Sequence, residues 1–144
     1  MAHGGARNRS GPMVDPSSAR SEARGLKFRR LPLAGRSGRA PKFPLPGQSA
    51  REGQVWREAW RSPQAVAWES EPWRWKIVAL WVRVSVRCED HEAPAGLFAQ
   101  LHRLADQIGM TPAGLRENGW LIEDAPVEDV PPVVEGSNVR RLRA

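Results

Sequence analysis

The sequence predicts an all-α fold: a helical bundle with a central antiparallel helix hairpin, an extended basic N-terminal arm and a disordered acidic C-terminal tail. Three observations predict it. Apolar residues recur at helical spacing through the middle of the chain. Helix-start signals, Ser or Thr followed by Pro or by a Glu three residues on, precede most of those runs. Six of the seven tryptophans fall between Trp56 and Trp81. Tryptophan buries a large apolar area while its indole N–H needs a partner, so this concentration marks packing wedges between helices or anchors for another subunit.

Charge divides the chain. Its 144 residues suit one domain, and the formal net charge is +6. Residues 1–49 carry ten Lys/Arg against Asp15 and Glu22, a net +8, whereas residues 50–144 carry twelve against fourteen acids, a net −2. A basic excess confined to the first third points to a polyanion partner there, with nucleic acid and an anionic membrane surface as the candidates; a solvated leader is the alternative. The lone Cys88 allows no intramolecular disulfide and suits a reducing compartment. No apolar run approaches the ~18 residues of a membrane span, and the N-terminus lacks the apolar stretch of a secretory signal, so no membrane partner is expected.

In chain order, residues 1–24 combine basic residues with Gly, Ser and Ala and almost no large apolar side chain, a composition that predicts disorder. From Gly25 the text reads GLKFRRLPLAGRSGRAPKFPLPG. Pro32, Pro41, Pro44 and Pro46 favour extended geometry, and Leu31, Leu33, Phe43 and Leu45 supply apolar anchors for a groove on the same domain or a neighbour's. The arm is assigned to residues 1–48. Its Arg24, Lys27, Arg29, Arg30, Arg36, Arg39 and Lys42 are the candidate DNA contacts, and removal of residues 1–42 is expected to spare assembly. The Gly-rich run at Gly35 lacks the Gly-Lys-Ser/Thr ending and the preceding strand of a phosphate loop, and reads as a flexible turn.

The helical domain is assigned to residues 49–122. Ser49 and Glu52 make a capping box, after which Val55, Trp56, Ala59 and Trp60 share one face. Ser62-Pro63 starts a short helix to Ser70, and Pro72 opens a third element, Trp73 to Asp90. There, Val82 to Arg87 alternates as a strand does, but Ile77, Val78, Trp81, Ser85 and Cys88 form a helical stripe and no other segment alternates to pair with it; helix is the reading. A helix apolar over most of its circumference needs neighbours on several sides. Subunit contacts are expected to supply them through Ile77, Leu80, Trp81 and Val84 on this helix and Leu97, Leu101 and Leu104 on the next. That fourth helix runs from Pro94 to Gly109, close enough in sequence to form the hairpin. Thr111-Pro112 starts a last short helix closed by Gly119, and Trp120, Leu121 and Ile122 fold back on the bundle. Residues 123–144 form the acidic flexible tail, with five acids and no base from Glu123 to Glu135, then a basic end at Val139 to Arg143.

No catalytic constellation emerges. Cys88, His91 and His102 lack the spacing of a zinc site, and no His stands in a pattern with Ser or Cys that would activate a nucleophile. No catalytic residue, metal ligand or cofactor is assigned, and no enzymatic activity is expected. The tryptophans as a base-stacking platform are the other reading of that cluster; helical spacing favours the core or an interface, with Trp73 and Trp75 the pair expected to face out.

The order of these pieces carries a resemblance to one family. Phe43-Pro44-Leu45, then Trp56, Trp60, Pro63-Gln64-Ala65 and Ala67-Trp68, the second apolar helix, and Leu104-Ala105-Asp106 through Gly109-Met110-Thr111-Pro112-Ala113-Gly114-Leu115 resemble small terminase subunits of tailed double-stranded DNA phages and prophages, in the version found among phages of high-GC Gram-positive bacteria. The resemblance spans about residues 25–122. It implies a helical homo-oligomer that forms a ring, binds viral double-stranded DNA, and recruits or regulates the large terminase subunit that carries the ATPase and nuclease. It also implies a cytoplasmic location in an infected or lysogenic bacterial host. Two other readings stay open: a phage or host transcriptional or architectural DNA-binding regulator, and a virion-assembly interaction protein.

Overall fold

The computed structural model describes residues 18–20, 25 and 27–124. Strand β1 (Arg29–Pro32) leads through a Gly- and Pro-rich loop to helix α1 (Ala50–Ala59), followed by α2 (Pro63–Glu69). A 3-10 turn at Pro72–Arg74 then runs into α3 (Trp75–Cys88). Helices α4 (Ala95–Gln107) and α5 (Pro112–Asn118) precede strand β2 (Trp120–Glu123). The fold is therefore mostly helical rather than all-α. β1 and β2 pair in parallel, with Arg29 opposite Trp120 and Pro32 opposite Glu123. Sequence pattern hides this sheet because each strand is four residues long, β1 contains a proline, and the partner lies some ninety residues away.

Local chemistry explains the helix limits. Ser49 Oγ accepts from the Glu52 N–H at 3.1 Å while the Glu52 carboxylate accepts from the Ser49 N–H at 3.1 Å, so the expected capping box forms. Thr111 Oγ1 accepts from the Gly114 N–H at 2.9 Å at the start of α5, and Gly119 closes that helix in the left-handed region, φ 68°. The third element is helical, as the stripe predicts, through the residues that alternate as a strand would.

The tryptophans are the core. Trp56, Trp60 and Trp68 are buried together with Leu31, Phe43, Val78, Val82, Ile108 and Trp120. Trp60 sits at the centre, edge-on to Trp56, Trp68 and Trp75 with ring centroids 5.4, 5.7 and 5.4 Å away. Of the pair expected to face out, Trp73 does, at 65% exposure, while Trp75 turns in and donates from Nε1 to the Trp68 carbonyl at 2.8 Å.

The end of α4 is tied into this core. A helix leaves its last carbonyls without intrahelical donors, and here those of Gln107 and the cap Ile108, with that of Gly109 just beyond, receive side chains. Arg74 Nη1 donates to the Gln107 carbonyl, Trp68 Nε1 to that of Ile108 at 2.9 Å, and Gln64 Nε2 to that of Gly109 at 3.0 Å. Gly109 turns the chain at φ 76°, and a Cβ there would meet the Trp120 ring at 2.5 Å.

Two sequence expectations change in this light. The arm assigned to residues 1–48 is part of the domain from β1 onward: Leu31 is fully buried and Phe43 nearly so. Removing residues 1–42 would strip β2 of its partner and take Leu31 from the core, so the cut expected to spare assembly would break the fold. Glu123, expected to open the tail, closes β2. Otherwise the expected leader and tail fall almost wholly outside the described residues.

Candidate nucleic-acid interface

The seven arm cations have separate fates. Arg24 lies outside the described residues. Arg29 donates to Ser70 Oγ at 2.9 Å and to the Val66 carbonyl at 3.2 Å, tying β1 to α2. Arg30 pairs with Glu123 across the sheet at 2.5 Å. Arg36 pairs with Glu69 at 2.7 Å, lies over the Trp60 ring at 5.4 Å, and donates to the Arg39 carbonyl at 3.1 Å. These three hold the fold together. Lys27, Arg39 and Lys42 are exposed, and none forms an ion pair among the described residues.

Arg39 and Lys42 meet two cations that sequence reasoning passed over, Arg57 and Arg61. The four line one cleft of about 570 Å³ between the Gly38–Phe43 loop and the outer face of α1, with Gln48, Gly53 and Trp56 completing its walls. No Asp or Glu lines it. The missing signal was spacing: Arg57 and Arg61 are four residues apart, one helical turn, so they project from one side of α1 and its end. Gly53, a turn earlier, leaves room for the Arg57 guanidinium, whose Nη1 lies 3.4 Å from where a Cβ would stand.

The loop facing α1 is held rigidly for one so rich in Gly and Pro. Arg36 fixes the carbonyl of Arg39, and Trp56 Nε1 donates to the Pro41 carbonyl at 2.7 Å. Phe43 packs edge-on to Trp56 at 5.1 Å beneath the Arg83 guanidinium, which also donates to the Pro46 carbonyl at 2.7 Å. Arg83 in turn hydrogen-bonds Glu52 at 2.9 Å, and this contact, with the Ser49 N–H, holds the Glu52 carboxyl below its ordinary value against the opposing effect of burial. Cations mounted on a fixed loop and a helix lose little freedom when an anion binds, which favours phosphate contacts.

The seven residues expected at a subunit interface occupy the other side of the problem. On α3, Val78, Ala79 and Val82 face the core, while Ile77, Trp81 and Val84 are half-buried and Leu80 is 43% exposed. Trp73, Ile77, Leu80 and Val84 follow one another at spacings of four, three and four, a single stripe that this chain does not fully cover. On α4, Leu97, Leu101 and Leu104 are half-buried and Phe98 is 51% exposed. Helices α3 and α4 make the most extensive helix–helix contact in the fold.

Among the described residues no helix is long and apolar enough to cross a membrane, and no group of three or more His, Cys, Asp or Glu is placed to hold a metal ion. Comparison of the chain with protein-family profiles, characterised proteins and solved structures found no match.

Proposed function

We propose that this protein is the DNA-recognition and adaptor subunit of a phage DNA-packaging terminase, a non-catalytic ring-forming chain that binds viral double-stranded DNA and recruits or regulates a large ATPase/nuclease subunit. The observation that carries DNA binding is the cleft in which Arg39, Lys42, Arg57 and Arg61 converge without an acid among its lining residues. The packaging role rests on the ordered resemblance from Phe43 to Leu115. Ring formation draws support from the stripe Trp73, Ile77, Leu80 and Val84, which one copy leaves half open. In this reading α3 and α4 form an antiparallel hairpin, in keeping with their mutual contact and the short connection from Glu89 to Pro94. A ring multiplies modest phosphate contacts through effective concentration, so four cations per subunit suffice.

The experiment is a salt titration of duplex binding by the full-length protein and its Arg57→Ala/Arg61→Ala variant. Each phosphate contact contributes about 0.9 to the slope of log K against log salt. Loss of two contacts per bound subunit therefore flattens the slope by roughly 1.8 for each subunit engaged and weakens binding at low salt. An unchanged slope and affinity would reject the cleft as the DNA site.

A further inference from the structure

The cleft between the Gly38–Phe43 loop and α1 has a floor built in an unusual way. Gly53 sits in the interior of α1, where glycine weakens a helix relative to alanine. Its φ is not positive, so no backbone turn calls for it. It holds the fourth helical position, and Gln48 stands just ahead of the Ser49 cap. That pair of positions commonly carries two apolar side chains that staple the chain to its helix. Here it carries a bare backbone and a carboxamide. A Cβ on Gly53 would lie 3.4 Å from Arg57 Nη1 and 3.5 Å from Gln48 Nε2, so two donors converge over one point of the floor. Arg39, Lys42 and Arg61 complete the cations of the lining. All five side chains belong to exposed residues, and among the described residues none of the five makes a hydrogen bond or an ion pair.

We infer that this cleft binds a compact polyphosphate, a short chain of linked phosphates such as a nucleoside triphosphate carries, seated on Gln48 and Arg57. Its volume of about 570 Å³ falls within the range of about 300–1,000 Å³ typical of small-ligand sites. Four cations and no acid suit an anion that concentrates several charges in that space. Unspent N–H donors on a fixed loop and a helix suit ionised phosphate oxygens, which only accept. Duplex DNA fills such a recess less well. It is stiff over about 150 base pairs and carries its charge along a line, so it lies across the loop and helix that border the cleft. The two ligands share cations and therefore compete; that consequence alone rests on the function proposed above.

The test uses the full-length protein with inorganic triphosphate, a nucleoside triphosphate and orthophosphate as probes at matched ionic strength. Calorimetry reads the affinity, and backbone amide shifts of residues 38–43 and 48–61 read the place. Inorganic triphosphate is expected to bind more tightly than orthophosphate and to shift those amides; no binding, or shifts elsewhere, would overturn the inference. Equal affinity of the two triphosphates assigns the contact to the phosphate chain, and tighter nucleoside binding adds a contact to base or sugar. Two variants probe the floor. Gly53→Leu fills it with a better helix former. Gln48→Ala removes one donor at an exposed position outside the helix. One lost hydrogen bond to a charged group weakens binding by about tenfold or more, so each variant should lower triphosphate affinity by that factor and duplex affinity far less. Parallel losses for both ligands would reject the floor as the seat. Triphosphate bound at the cleft with no duplex binding upholds this inference and rejects the DNA reading. Duplex binding that Arg57→Ala/Arg61→Ala abolishes, with no triphosphate binding, does the reverse.

Discussion

Arg74 gives the sharpest test of how this core is held. The residue is 6% exposed, and its guanidinium pairs with Glu71 at 2.6 Å, donates to the Gln107 carbonyl, and lies over Trp73 at 4.6 Å and Trp120 at 4.9 Å. Arg74→Met keeps most of the apolar stem and removes every one of these contacts. A charged hydrogen bond to a carbonyl contributes about 1.5–3 kcal/mol. The positive charge also opposes the negative end of α4, worth roughly 0.3–1 kcal/mol. Stacking on the exposed Trp73 adds about 0.5–1 kcal/mol and on the buried Trp120 up to about 2. These overlap, and the Glu71 side chain keeps contact with solvent at 26% exposure, so the expected loss is about 3 kcal/mol. For a domain of this size that lowers Tm by roughly 12–24 °C. Urea unfolding followed by tryptophan fluorescence and by circular dichroism measures it. Arg74→Lys is expected to recover less than half, because an ammonium cannot donate in two fixed directions and stack as well. An Arg74→Met protein within about 0.5 kcal/mol of wild type would refute the reasoning.

Three further outcomes are expected. Glu52 has its folded pKa lowered from the ordinary 4.5 by the Arg83 hydrogen bond, so its contribution is full above that value and fades as pH falls through the folded one; the stability gap between wild type and Glu52→Gln should therefore be constant near neutrality and close on acidification. A gap that instead widened below pH 4.5 would contradict the assigned pairing. Gly109→Ala adds a Cβ 2.5 Å from the Trp120 ring at φ 76°, and is expected to cost about 2–5 kcal/mol from overpacking and left-handed strain, against about 1–2 for Gly47→Ala, where φ is 66° and the space is open; equal urea midpoints would show that the ring yields freely. Leu80→Asp places a charge on the half-open stripe of α3 and should yield monomers by native mass measurement while leaving the circular dichroism of a helical fold; intact oligomers would place the interface elsewhere.

Sequence alone determined where most helices begin and end, though not every face they bury: Val82, outside the expected stripe, is buried, and Trp75 turns inward. Ser49 with Glu52, Thr111 with Pro112, and Gly119 are local signals acting within one turn, and each does what its chemistry predicts. The tryptophan cluster likewise announced the core, because i, i+4 spacing puts Trp56 and Trp60 on one face whatever the rest of the chain does. Even the choice of helix over strand for α3 followed from the absence of an alternating partner.

Tertiary structure decided which cations are free. Arg29, Arg30, Arg36, Arg39 and Lys42 look alike in a basic arm, yet three are committed to Ser70, Glu123 and Glu69, on segments 33 to 93 residues away in sequence, and two are left at the surface. The partners that sort them are fixed by the β1–β2 pairing and by the loop's docking on Trp56, contacts that no periodicity encodes. Arg57 and Arg61 joined the site for the same reason: a helix face acquires meaning only when something packs opposite it. Local rules run over one turn of chain, whereas a binding surface is assembled from residues that share space and not sequence.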